Sequence, residues 1–211
     1  MTAAINLGVF SIRAQYFWYY DFNYDSRLTW ADDECNDAAD FMDGEYYDEN
    51  EIQAYVWDDP SELFITAASL GKAKLFHQAS HGGHDGGLCD VNYLITHDDD
   101  RIYPDEIPDL SDVHGGGDEL LGFGSACYSG TDGFWPRLWK AFINEGSVVY
   151  MGYSDSVDDV DAYDFAVCFY EYLSEHYTIE DAIEEALDDT DYEVEDILVL
   201  KGDGDIYVVD D

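Results

Sequence analysis

The most constraining segment of this chain is residues 120–126 (LLGFGSA), a near-continuous apolar run of small and hydrophobic residues that stops at Cys127. A strand of that composition has no polar face, so both of its faces must be covered. Helical spacing of apolar residues supplies the covers. On residues 30–42, Ala31, Cys35, Ala38, Ala39 and Met42 share one face, with Gly44 as the stop. On residues 135–145, Trp135, Leu138, Trp139, Phe142 and Ile143 form a stripe that ends at Gly146. Residues 161–176 read as a strongly apolar helix, and Thr178 caps another with Asp181 three residues on. Asp59-Pro60 opens one more helix, closed by Gly71. Between them, residues 5–13, 52–57, 74–80, 91–97 and 147–153 read as strands, and residues 16–24 and 98–117 mostly as loop. Residues 197–200 and 206–209 read as a hairpin or paired edge strands around Gly202-Asp203-Gly204. Strands alternating with helices predict an α/β fold: a three-layer sandwich with a largely parallel central sheet. Residues 1–211 are expected to form a single domain, with a first strand, an aromatic acidic loop and a helix in 1–50 and the main body in 51–211.

Charge excludes several partners. Forty-nine acidic residues against 8 basic ones leave a formal net charge of -41. Phosphate binding needs a basic surface, so no nucleic acid and no anionic membrane is expected as a partner. Hydrophobic residues at 46% and aromatics at 16% are too abundant for a disordered chain. The acids run along the whole length rather than forming a tail, which fits a solvated shell in a salt-rich, halophilic cytoplasm. No apolar run is long enough to span a membrane, and the first ten residues lack a basic start and a full apolar core. A cytoplasmic chain is therefore expected. Cys35, Cys89 and Cys168 form no CxxC pair and read as structural thiols. Acidic runs at 98–100 and at 158, 159 and 161 read as solvated loops, and no cofactor is implied.

In open α/β sheets, ligands bind beyond the carboxyl ends of the strands. Two such ends carry reactive side chains: Ser80-His81-Gly82-Gly83 and Ala126-Cys127-Tyr128-Ser129-Gly130. If the two strands are parallel neighbours, His81 and Cys127 emerge on one edge. A cysteine needs a base or cation nearby to act as a nucleophile, and a histidine serves. An attacked carbonyl needs N–H donors for its oxyanion, for which Gly82 or Gly83 and Cys127 are candidates. His77, four residues before His81, reads as a core or second-layer histidine. His77, His81, His84 and Asp85 also admit a metal-dependent hydrolase, although their spacing matches no zinc motif.

The two segments LFHQASHGG and FGSACYSG resemble the caspase-like cysteine peptidases: gingipain-type, CHAT-type and metacaspase-type domains. In that family one strand ends in His-Gly and a second ends in a cysteine flanked by small residues, with the histidine about 50 residues upstream. GSVVYMGYSDSV and KGDGDIYV are similar to its later strands, so the resemblance covers residues 52–211 and implies a caspase-hemoglobinase-like fold with its catalytic core there. It implies Cys127 as nucleophile, His81 as catalytic histidine, Gly82 and Cys127 as oxyanion donors, and a protein or peptide substrate. Asp155 and Ser154, after the strand 147–153, fall near the family's pocket residues, and the carboxylate would favour a basic residue before the scissile bond. Ala126 departs from the serine that metacaspases carry before their cysteine. A catalytically inert binding or regulatory module on the same fold is the alternative.

A charge of this size makes the chain depend on screening. Thermal melts followed by circular dichroism are expected to shift upward from about 0.1 M to molar salt, and full stability in dilute buffer would contradict the salt-adapted reading.

Overall fold

The computed structural model describes residues 5–11, 28, 30–47, 50–58, 73–85, 91–95, 100–111, 120–134, 136–190 and 194–209. The helix expected over 59–71, the loop at 16–24, Cys89, Trp135 and the first two aspartates of 98–100 lie outside them. In chain order the elements are β1 (Ile5–Ser11), α1 (Ala31–Met42), β2 (Tyr46–Tyr47), β3 (Asn50–Asp58), β4 (Leu75–Ala79), β5 (Gly82–His84), β6 (Asn92–Ile95), β7 (Arg101–Ile102), β8 (Leu121–Ser125), α2 (Leu138–Glu145), β9 (Val149–Tyr153), α3 (Asp159–Ser174), α4 (Ile179–Asp189) and β10 (Leu198–Gly202). A seven-stranded sheet runs β10-β9-β8-β4-β1-β3-β2. Its five inner strands are mutually parallel, and β2 and β10 join antiparallel at the two edges. This is the expected mixed α/β fold with a mostly parallel central sheet.

Period-two alternation sorts the inner strands into two cores. Leu75, Leu121, Phe123, Val149, Met151 and Tyr153 face one core, with Ala38 and Met42 of α1 and Phe165 and Phe169 of α3. Phe76 and Tyr150 face the other, with Leu138 and Phe142 of α2. β8 is buried at all five positions, as its composition demands. Gly146 ends α2 at φ 118, a backbone conformation that a Cβ would strain.

Three expectations need correction. The strand expected in 91–97, described over β6, belongs not to the parallel sheet but to a separate three-stranded antiparallel one, β5-β6-β7. The loop at 98–117 contains β7 and a one-turn 3-10 helix at Pro104–Glu106. Residues 197–209 form no hairpin: β10 pairs with β9, and the segment after it turns to the start of α4, with a bridge between Thr178 and Tyr207. The first turn of α4 explains the diversion. Helix N-termini leave N–H groups without acceptors. Here Ile179 N donates to the Ile206 carbonyl at 3.0 Å and Glu180 N to the Gly204 carbonyl at 2.9 Å. Thr178 caps the same turn by accepting from Asp181 N at 3.1 Å, as the sequence predicts.

Phe123 is the hub of the first core, fully buried with the rings of His77, Tyr153, Phe165 and Phe169 around it. Phe123→Ala is expected to lower stability by about 3–5 kcal/mol, read from urea denaturation in molar salt.

Candidate active site

β4 and β8 are parallel neighbours, with Ala79 opposite Ser125. His81 and Cys127 each lie two residues past that pair, so both leave the sheet at the same edge. Ser80 N donates to the Ser125 carbonyl at 3.1 Å and carries the pairing one step beyond β4. Gly82 then packs on the cysteine: a Cβ there would run into the Cys127 carbonyl oxygen and stand 3.0 Å from the Ala126 Cβ. Only glycine permits this approach.

The β5/β6 ladder decides which glycine offers its amide. Ile95 N donates to His81 O and Asp85 N to Val91 O, so residues 81, 83 and 85 are the hydrogen-bonded positions and Gly82 faces the other way. Gly82, rather than Gly83, therefore directs its N–H out of the ladder.

Behind the sulfur the chain turns sharply. Tyr128 has φ 61, a left-handed conformation that costs a non-glycine residue about 1–3 kcal/mol. The turn is fastened on all sides. Tyr128 N donates to Asp155 O at 3.0 Å, Ser129 N to Ala126 O at 3.2 Å and Gly130 N to Tyr153 O at 2.8 Å. Ser129 Oγ donates to Gly124 O at 2.6 Å and accepts from Tyr153 N at 3.0 Å.

His81 and Cys127 line one cavity of about 240 Å³ with Ser80, Ser125, the N-terminal ends of α1 (Ala31, Glu34) and α3 (Asp158, Asp159, Ala162), and Leu28 and Val157. Trp30 N donates to Asp159 Oδ2 at 3.2 Å and ties the two helix starts together. The sulfur is half-buried. It accepts from Val157 N at 3.4 Å and lies 3.6 Å from Val157 O. Burial pushes the Cys127 thiol above its ordinary value, and the Asp155 and Asp158 carboxylates push it further. The N–H groups of Val157 and of Cys127 itself pull the other way without prevailing. The balance favours the protonated thiol over the thiolate.

The remaining predicted residues occupy other places. Asp155 is exposed and does not line the cavity, its Oδ1 accepting from Ser156 N at 2.7 Å. Ser154 donates its hydroxyl to Ile197 O at 3.0 Å. His77 is fully buried between the Phe123 and Tyr170 rings, and its Nε2 stands 2.9 Å from Glu34 Oε1, off the line of a hydrogen bond. His84 is exposed and packs against the Tyr128 ring. Among the described residues no three His, Cys, Asp or Glu side chains gather as metal ligands. Cys35 is buried and Cys168 half-buried, and neither is in a disulfide.

Sequence reading missed the acidic wall of the cavity. Glu34 is buried, and its spacing from Ala31 and Ala38 puts it on the apolar face of α1, where a carboxylate is out of place. Asp158, read as solvated loop, caps α3 by accepting from Val160 N at 3.0 Å.

No protein-family model and no curated protein sequence matches the chain. Its fold does match solved structures. The Arg-specific cysteine proteinase gingipain R aligns with a TM-score of 0.59 at 12% identity, over 97% of this chain and 47% of that one. A complex of the pro- and mature domains of Porphyromonas gingivalis RgpB gives 0.57 at 12% identity, over 98% and 48%. The Saccharomyces cerevisiae separase–securin complex gives 0.58 at 12% identity, over 95% and 12%. The chain thus has the fold of caspase-like cysteine proteases and spans about half the length of the gingipain chains.

The site's electrostatics carry a sign. Labelling of Cys127 by iodoacetamide is expected to rise with pH around a midpoint above the ordinary thiol value of about 8.5. Asp158→Asn keeps the helix cap and removes one carboxylate, so it should move the midpoint down; an unmoved midpoint would refute the assignment of the shift to that charge.

Proposed function

We propose that the chain is a cysteine-type endopeptidase. Cys127 attacks a peptide carbonyl carbon while His81 takes the thiol proton. The tetrahedral oxyanion is held by the N–H groups of Gly82 and Cys127. Collapse breaks the C–N bond, His81 returns the proton to the departing amine, and a thioacyl enzyme remains. Water activated by His81 then hydrolyses it. The observation that carries this reading is the β4/β8 register, which sends the two side chains from matched positions into one cavity. An environment that favours the protonated thiol suits a mechanism in which the histidine acts as base during attack.

A preference for a basic residue before the scissile bond is part of the proposal. Glu34, Asp158 and Asp159 give the cavity an acidic wall, and Asp155, next to Ser154 in the chain and close enough to act on the Cys127 thiol, adds to the potential. The neighbour gingipain R is described as Arg-specific. The alternative is an inert module on the same fold, favoured by the raised affinity of the Cys127 thiol for its proton.

A peptide library profiled in molar salt tests both. The wild type is expected to cleave after Lys or Arg, Cys127→Ala to fall to background, and His81→Ala to lose roughly 10²–10⁴-fold. Cleavage that persists in Cys127→Ala, or a wild type that cleaves nothing, would rule the peptidase out.

A further inference from the structure

Asn92 opens β6 with its side chain fully buried. Its amide nitrogen donates to two carbonyls of the turn behind the sulfur, Tyr128 O at 2.9 Å and Ser129 O at 2.9 Å. Its amide oxygen accepts the N–H of Leu138, the first residue of α2, at 3.0 Å. Two donors and one acceptor thus all meet main-chain groups, and only this orientation of the amide satisfies them.

A chain of rigid peptide planes leads from Asn92 to the candidate oxyanion donor. The Tyr128 carbonyl shares its plane with Ser129 N–H. Ser129 N–H donates to the Ala126 carbonyl, and that carbonyl shares its plane with Cys127 N–H. Cys127 and Tyr128 lie between these two planes, and Tyr128 is the strained one; with the intervening 127–128 peptide held by Tyr128 N donating to Asp155 O, relaxation of Tyr128 is taken up by the 128–129 plane that Asn92 clamps. We propose that Asn92 is a positioning residue that aims the Cys127 N–H at the reacting carbonyl oxygen by clamping the turn through Tyr128 O and Ser129 O. The inference rests on the peptidase reading and extends it to a residue that never meets substrate.

Asn92→Asp separates the two halves of the clamp. It is nearly isosteric and keeps an acceptor for Leu138 N–H, so the start of α2 stays capped. It exchanges the two donors for an oxygen facing two carbonyls. The expected result at pH 8 is a fall in peptide kcat of about 100-fold with KM little changed, the size of losing one oxyanion donor. Iodoacetamide labelling of Cys127, compared at a pH well above each protein's own thiol midpoint so that the added carboxylate's effect on ionisation drops out, should stay within about 3-fold of wild type, because alkylation at sulfur builds no oxyanion. Turnover relative to wild type should recover as pH falls and the new carboxyl takes up a proton, which restores one donor. If circular dichroism shows that this variant does not fold, Asn92→Ser carries the same comparison of turnover against labelling. Turnover near the wild-type level, labelling that falls in step with turnover, or a turnover ratio flat with pH would each overturn the proposal. A wild type without peptidase activity would sink the peptidase reading and this one with it.

Discussion

The parallel pairing of β4 with β8 is the constraint on which the rest depends. It sets Ala79 against Ser125, and His81 and Cys127 follow two residues after that pair. A shift of one residue in either strand would carry its side chains to the opposite face. His81 or Cys127 would then point toward α2 instead of toward the starts of α1 and α3. Burial guards against such a slip. Leu75 and Ala79 on β4 and Leu121 and Phe123 on β8 belong to one core, and Phe76 between them to the other.

Electrostatics at the site pull in two directions. The starts of two helices and the Val157 N–H favour negative charge on the sulfur. Desolvation and nearby aspartates oppose it and prevail. Asp158 takes part in both, since the carboxylate that caps α3 also raises the thiol. In so acidic a chain, one side chain serves local folding and disturbs the neighbouring chemistry at once.

Much of this was legible in the residues, for definite reasons. The apolar run ending at Cys127 could only be an inner strand, and His81-Gly82 could only end another, so two strands and their reactive ends could be placed without coordinates. Helix ends marked by Gly146 and Thr178 fall where local chemistry puts them. What sequence could not supply is pairing between distant segments. Gly82, Gly83 and His84 are poor strand formers, yet they become β5 because β6 is there to receive their hydrogen bonds. Residues 204–206 turn away from β10 because α4 needs acceptors. Glu34 sat in plain view on an apolar helix face, and only the cavity gives its position a meaning.

The site is drawn largely in main chain. Backbone pairing places the thiol and imidazole, amide–carbonyl bonds shape the turn, and the proposed anion donors are peptide N–H groups. Side chains elsewhere are then free to drift, provided volume and polarity are kept. A chain that shares only 12% of its residues with gingipain R, yet keeps its fold over 97% of its own length, is what such a construction tolerates.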